Sequence, residues 1–275
     1  MPTFQGQTFS NFFKNILGIN QSSNTGVDST TRKVQDGAGN NSSIALSDDV
    51  LYVLPENDNT TQTFAVSNAG GSPRFTVDTT NDKCLIGASQ TAANTNYVNY
   101  GITFADTAGS GFTADTHYAV PFGGAYYGGV TAGSYAMGSS TSSSFNDTNP
   151  ATSLTISATA MAIIRCYWYV VDDITIDAVR WFHGADTATG DVTAAHLMSY
   201  TVDIDNGSTG GDLSGGTVVA DGATITNAGY EQIYYQAMTV QSADVDAGKV
   251  ILFTFASDTI NSDYSISATI KYHIR

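Results

Sequence analysis

The chain is short of cysteine, glutamate and lysine. Its 275 residues contain two Cys, and counting along the sequence gives 2 Glu and 5 Lys. Cys84 and Cys166 are too sparse for a disulfide scaffold and lack a metal-binding spacing, so we expect two separate thiols that pack as small apolar groups. Because Glu and Lys favour helix interiors, their scarcity predicts that helix does not dominate the fold.

Long hydrophobic runs and positive charge are also scarce. The chain lacks an 18-residue apolar run, and its N-terminus lacks a basic segment followed by an apolar stretch, so we expect neither a membrane span nor a signal peptide. Lys and Arg total 10 against 25 Asp and Glu, which gives a formal charge of −15. A field of this sign repels phosphate and argues against nucleic acid as a partner.

What the sequence has in abundance is turn and strand chemistry. It contains 36 Thr, 27 Ser and 27 Gly, and 23 of its 25 acidic residues are Asp. The short Asp carboxylate bonds to nearby backbone N–H groups, which places most of this acid in turns. With 41% hydrophobic residues the chain can build a core. We therefore predict an all-β protein, with one large β domain and appendages.

Residues 1–20 contain a helical pattern that we interpret as an anchor. Thr8 or Ser10 can cap its start and Gly18 can end it. A helix this short is marginal alone in water, so its stripe must be buried, either on a downstream domain or on another protein. The stripe consists of five large apolar residues at helical spacing: Phe9, Phe12, Phe13, Ile16 and Leu17.

Residues 21–90 consist of short β runs separated by turn signals such as Gly70-Gly71. In the run RFTVD, Phe75 and Val77 face one way, whereas Arg74, Thr76 and Asp78 face the other. We therefore expect a buried apolar side and a wet polar side. The block is small for independent stability, which predicts that it oligomerises.

Residues 91–275 carry the densest strand pattern. Residues 138–150 are a low-complexity stretch that we expect to be an exposed loop, and residues 118–127 are expected to supply the first strand. The absence of helical patterns between the later strands predicts an antiparallel sandwich or jelly roll. Those strands are expected at residues 154–171, 174–184, 192–205, 231–240, 249–257 and 264–274.

Local motifs for catalysis or metal binding are missing. His117, His183, His196 and His273 have no partner at metal-binding spacing, and no phosphate-cradling or dinucleotide loop follows a strand. A triad assembled in space stays possible, but 27 Ser and 23 Asp make that possibility uninformative. We predict no enzymatic activity, no catalytic residues and no cofactor.

One acidic turn has calcium-like spacing. Asp203, Asp205 and Asp212 surround Gly207, but Ser214 stands where a calcium loop has its bidentate Glu. We favour an ordinary hairpin turn with solvated carboxylates, because Asp, Asn and Gly are common turn formers. Calcium binding stays an open alternative.

Tyrosine clusters are the candidate contact residues. Tyr126 and Tyr127 sit among glycines at the end of the expected first strand, and they could meet a receptor. Tyr167, Trp168 and Tyr169 alternate within an apolar run, so we expect them to pack rather than bind.

The combination resembles the virion fibre or knob proteins of tailed phages, especially of the marine phage type. Four segments carry the likeness: the leader at 8–40, the phrase SIALSDDVLYVLPENDNTTQTFAVSN at 43–68, the turn-strand unit NAGGSPRFTVDTTNDKCLIG at 68–87, and the C-terminal segment at 247–275. Only one turn-strand unit is present, which implies a short shaft.

The resemblance implies a homotrimer with three parts. These are an N-terminal helix (1–20) that docks on other virion proteins, a β shaft-like region (21–90) and a jelly-roll head (91–275). The head faces outward from the virion surface and either binds a host glycan or protein or only decorates the particle. The alternatives are a tailspike-like glycan depolymerase, although no 20–30-residue repeat supports it, and a stand-alone carbohydrate-binding sandwich.

Overall fold

The computed structural model describes residues 16–22, 26–104, 114, 116–123, 125–130, 137, 163–186, 189–229, 231–258 and 263–275. Within these ranges the chain forms β-strands and a short 3₁₀ helix at Ile163–Cys166, without an α-helix. The predicted all-β fold is therefore confirmed. The chain divides into two compact units, Met1–Ala93 and Asn94–Arg275. Among the described residues, no helix is long and apolar enough to cross a membrane.

The predicted N-terminal helix is not seen where the structure can test it. Phe9, Phe12 and Phe13 lie outside the described residues. Ile16 and Leu17 are exposed and belong to no helix. Gly18 begins a strand instead of ending a helix, because Gly18 and Ile19 pair with the strand at 32–35. The helix therefore does not reach residues 16–18.

The first unit contains two small antiparallel sheets, each with its four strands in sequential order. Consecutive strands pair because short turns connect most of them. The first sheet consists of β1 (Gly18–Ile19), β2 (Arg32–Gln35), β3 (Asn41–Leu46) and β4 (Leu51–Val53). The second consists of β5 (Phe64–Ser67), β6 (Pro73–Asp78), β7 (Lys83–Ile86) and β8 (Thr91–Ala92).

Asp and Asn side chains close three of the turns between these strands. A side-chain oxygen of Asp36 accepts the N–H groups of residues 38 and 40. Asn68 does the same for residues 70 and 72, and Asp78 for residues 80 and 81. These bonds confirm that Asp forms turns here, and they hold the register of the strands on either side.

The second unit is built on one nearly closed sheet. Nine strands follow one another in the order β10-β19-β14-β15-β17-β13-β20-β9-β11, and short strands flank this path. An isolated bridge between Tyr100 and Phe122 connects the two ends of the row. The nine are β9 (Thr95–Phe104), β10 (Thr116–Val120), β11 (Ala125–Val130), β13 (Ile174–Asp186), β14 (Val192–Val202), β15 (Leu213–Asp221), β17 (Gln232–Val240), β19 (Lys249–Ser257) and β20 (Asp263–Ile274). The flanking strands are β12 (Trp168–Tyr169), β16 (Ile225–Thr226) and β18 (Asp244–Val245).

Eight of these strands pair in a nested way. The first, β9, pairs with the last, β20; β10 pairs with β19, β13 with β17, and β14 with β15, all antiparallel. Two residue pairs between β15 and β17 join the halves. Side chains pointing inward from both halves form the core, whose largest fully buried members include Trp181, Tyr100, Tyr118, Tyr200, Tyr264, Phe104, Phe253 and Phe255.

Most predicted strands of this unit are found within a few residues of their expected positions. The long strand predicted at residues 154–171 is an exception, and its prediction is wrong over the part that the structure describes. The described part of that segment starts with the 3₁₀ helix at Ile163–Cys166, and only Trp168–Tyr169 is a strand. Tertiary contacts favour this break, since the Arg165 carbonyl accepts the N–H of Phe122 and the Cys166 thiol is buried against the Ala119 carbonyl.

Candidate interaction surfaces

The second small sheet has one largely apolar face, on which Thr91 of the short strand β8 is the polar member. Its members lie opposite one another on adjacent strands: Val66 faces Phe75, which faces Ile86, while Phe64 faces Val77, which faces Cys84. The rings of Phe64 and Phe75 meet edge to face at 6.1 Å. We call this set of six side chains the shaft face.

The burial of this sheet is the reverse of what its pattern predicts. The alternation of sides is as expected, but on the apolar side Phe64, Val66 and Ile86 are exposed and Phe75, Val77 and Cys84 are half-buried, whereas Thr76 on the polar side is 1% exposed. The polar side is covered by the chain itself, because Thr76 donates to Gln90 and the Gln90 amide donates to the Gly87 carbonyl. Among the described residues of this chain, the shaft face has no covering layer.

The first small sheet repeats this arrangement. Ile44 faces Val53, and Leu46 faces Leu51, on one side of β3 and β4. Leu51 is 69% exposed, and Ile44 and Val53 are exposed too. On the opposite side Ala45 is buried near Lys33, whose ammonium group donates to the Leu54 carbonyl and lies 3.2 Å from Glu56. Both sheets thus expose large apolar side chains on the side opposite to a buried member of the sheet, Ala45 in the first and Thr76 in the second.

Tyr126 and Tyr127 lie on a strand, although not on the first strand of the unit, which is β9. Both belong to β11 at the edge of the large sheet, where Tyr126 is in register with Ile102 of the parallel neighbour β9. Their position at a sheet edge leaves receptor contact a prediction.

The aromatic run at 167–169 is mostly packed, as expected. Trp168 is buried and stacks on Phe122 with ring centres 6.0 Å apart. The Tyr167 hydroxyl donates to the Gly211 carbonyl at 2.7 Å, and burial raises the pKa of that phenol to about 12. Tyr169 differs, since it is half exposed.

In the acidic turn at 203–212, the carboxylate of Asp203 accepts hydrogen bonds from other residues of the same turn. One oxygen of Asp203 accepts the Asp205 N–H at 2.9 Å, and the other accepts the Thr209 hydroxyl at 2.7 Å. These bonds hold the pKa of Asp203 below its usual range, the Thr209 bond being the largest cause. Within the described ranges, no group of three or more His, Cys, Asp or Glu side chains is placed to hold a metal ion.

The structure buries all four histidines, which their scattered positions did not suggest. His117 and His196 lie on strands either side of β19, with ring centres 4.9 Å apart. His183 is stacked between Trp181 and Tyr234, and burial lowers its pKa to about 4. His183 is on the inward side of β13 with Trp181, whereas His117 and His196 lie on the side of their strands opposite to the core residues Phe253 and Phe255. His273 is buried beside the Asp177 carboxylate, 3.0 Å away.

A cavity of about 380 Å³ opens at one end of the outer side of the β17-β13-β20-β9 row. Its floor is made by small residues, and two carboxylates stand beside it. The lining comprises Thr103, Gly184, Ala185, Glu231, Gln232, Ile233, Asp263, Tyr264 and Ser265. The sequence offered no signal for this cavity, because its walls come from β9, β13, β20 and the start of β17.

No protein-family model matches the chain, and no curated protein matches it significantly. The function is therefore inferred from the surfaces and the strand topology of the chain.

Proposed function

We propose that this chain is a structural virion protein of a tailed phage. It is a homotrimeric fibre or knob appendage that faces outward, is anchored to the particle by its N-terminus and ends in a jelly-roll head. The observation that supports this proposal most strongly is the reversed burial of the two small sheets, whose apolar faces lie open in a single chain.

An open apolar face of this kind needs a partner. Burying one Val, Ile or Phe side chain contributes about 1.5–3 kcal/mol, so the six side chains of the shaft face favour association strongly. Large exposed patches mark interaction surfaces, and closed homo-oligomers are the commonest solution. Three copies around a common axis bury the shaft face of each copy against the other two, which is the arrangement that the resemblance to trimeric shafts implies.

The nested pairing in the second unit supports a jelly-roll head. A jelly roll has eight strands wound as a folded ribbon, so that the first pairs with the last and the fourth with the fifth. The pairs β9–β20, β10–β19, β13–β17 and β14–β15 have this order. Jelly rolls recur in viral and lectin proteins, although a fold alone does not imply a function.

The proposed appendage has two contact sites, one that anchors it to the particle and one that meets the host. Phe9, Phe12, Phe13, Ile16 and Leu17 dock on other virion proteins, and Tyr126 with Tyr127 marks the head region that meets a host glycan or protein. With −15 per chain, the appendage disfavours polyanionic targets and stays soluble on a crowded particle. Neither role needs an enzymatic step, a cofactor or insertion into a membrane.

The solution mass of the full chain tests the trimer. We expect a single species of about 87 kDa, three times the 28.9 kDa chain. Val66→Asp places a charge on the shaft face and is expected to reduce the mass toward that of the monomer. Val27→Asp is the matched control, because Val27 is 51% exposed but lies outside both sheets. A monomeric wild-type chain at micromolar concentration contradicts the trimer.

Labelling of intact phage particles tests the virion assignment. Gold-conjugated antibodies against the head are expected to decorate purified particles at one type of position. If washed particles carry no label while the infected lysate contains the protein, the chain is not a virion component.

A further inference from the structure

The outer side of the β17-β13-β20-β9 row differs from the rest of this acidic protein. From the level of Tyr97 to that of Gly184, its outward residues are mostly small or uncharged; Arg180 and Lys271 are its basic members among the described residues, and the carboxylate of Asp177, in the β13 bulge opposite Lys271, stands at its border. We call this surface the head face. It consists of Tyr97, Asn99, Gly101, Thr103, Ala178, Arg180, Phe182, Gly184, Ile233, Tyr235, Ala237, Thr239, Ser265, Ser267, Thr269 and Lys271.

One half of the head face protrudes. Phe182 and Tyr235 lie opposite each other on β13 and β17, with ring centres 5.0 Å apart, and both are exposed. Ile233, next to them, is 79% exposed. Three large apolar side chains on adjacent strands form a contiguous patch, which is the kind of surface that marks an interface.

The other half of the head face is hollow. Ile233 lies opposite Gly184, which lies opposite Ser265 and then Thr103, so the row descends from a large side chain to small ones. The cavity of about 380 Å³ opens at this row. A protrusion beside a hollow on one surface is the shape that lets copies pack head to tail and close a ring.

The charge of the head face favours a second copy as the occupant. Each chain carries −15, so the surface that a neighbouring copy presents is rich in carboxylates. Arg180 gives the centre of the head face a positive charge, whereas the carboxylates of Asp177, Glu231 and Asp263 stand at its two ends, so the basic centre of one copy complements the acidic ends of another. Electrostatic complementarity of this kind fixes the orientation of partners more than it adds affinity.

We propose that the head face is the surface through which the heads of neighbouring copies contact one another. This inference rests on the proposed trimer and adds where the heads touch. Four strands spaced 4.8 Å apart over eight residues cover roughly 500 Å², less than the ~800 Å² per partner of a standard interface. Association of the small sheets raises the effective concentration of the heads, so a modest face suffices.

Two measurements on the full chain test this contact. In a Cys84→Ala background, Ser267→Cys at the centre of the head face is treated with a short bis-maleimide, and Ser214→Cys on the other half of the sheet is the control. Cross-linked species are expected to be at least about ten times more abundant for Ser267→Cys. In addition, Ile233→Asp is expected to lower the melting temperature of the head, whereas Ile204→Asp, at a site that is 76% exposed, is expected to leave it unchanged.

The outcomes separate this contact from the trimer itself. A wild-type trimer with equal cross-linking at both sites, and equal melting of Ile233→Asp and Ile204→Asp, overturns the head contact and leaves the trimer standing. A wild-type monomer overturns both. If the wild type binds a neutral glycan array through heads that do not cross-link, and Ile233→Asp abolishes binding, the occupant is a sugar and the inference is wrong.

Discussion

Val66 and Thr76 lie on neighbouring strands of one small sheet, and their burial is the reverse of their polarity. The valine is 52% exposed and the threonine is 1% exposed. The threonine is covered by its hydrogen bond to Gln90, at 2.8 Å. Because the chain's own contacts cover the threonine, the apolar side of the sheet is the side that stays open to solvent in a single chain.

The first unit is expected to fold only when copies associate. A fragment of residues 21–90 should be unfolded at low concentration, and its melting temperature should rise with concentration, because its apolar faces have no partner in a monomer. Circular dichroism melts over a hundredfold range of concentration measure this. A cooperative melt at the same temperature throughout, from a species with monomer mass, contradicts the prediction.

The turn at Asp78 is expected to contribute to the stability of the second small sheet. Asp78→Ala removes an acceptor for the N–H groups of Thr80 and Asn81 and for the Asn81 amide, and should cost about 1–3 kcal/mol. Asp78→Asn keeps one carbonyl oxygen and should cost less. Denaturant midpoints of the full chain give both values, and equal midpoints for the two variants would show that the carboxylate oxygens are unimportant here.

His183 is expected to make the head less stable in acid. Burial lowers its pKa from 6.5 to about 4, so the unfolded chain takes up a proton at a higher pH than the folded chain. Stability is therefore complete above about pH 6.5 and is lost as the pH falls toward 4. Between pH 7 and pH 5 this one site accounts for about 2 kcal/mol.

The comparison of His183→Gln with the wild type isolates that contribution. The variant should lose about 2 kcal/mol less between pH 7 and pH 5, even if its stability at pH 7 is lower. Thr193→Val is the control, because it alters a neighbour of the imidazole without removing the titrating group. Parallel stability curves for all three proteins would show that folding does not lower the pKa of His183.

The N-terminal stripe is expected to attach the protein to particles. Phe12→Ser with Phe13→Ser should remove the protein from virions, since each buried Phe contributes about 1.5–3 kcal/mol to docking. The far-ultraviolet spectrum and melting temperature of the head should stay unchanged. If the double variant loses head structure, the stripe is ordinary core of its own chain.

Several features of the fold could be predicted from sequence because they depend on local chemistry. The apolar run at 249–257 and the alternation at 264–274 predicted two of the long strands, and Gly70-Gly71 predicted the turn that the Asn68 side chain closes. Two of the long strands escaped prediction. Gly215 and Gly216 interrupt the pattern of β15, and the polar residues at the start of β9 conceal its alternation, so only their neighbours in the sheet define them as strands.

Sequence periodicity predicted which side chains share a face of the second small sheet, but tertiary structure decided which face is covered. Periodicity correctly separated Phe75 and Val77 from Thr76 and Asp78, because side chains alternate along any strand. It could not say which side is covered, since covering depends on Gln90 folding back and on what other molecule meets the sheet.

The head shows the same division between sequence and tertiary structure. The sequence by itself determined an acidic, strand-rich chain whose Asp and Asn residues make turns. Only the tertiary structure placed Phe182, Tyr235 and Ile233 side by side, and set Gly184, Ser265 and Thr103 beside them as a hollow. The reason is that strand pairing joins residues up to 170 positions apart, such as Thr269 and Asn99, and no local pattern encodes which distant strands become neighbours.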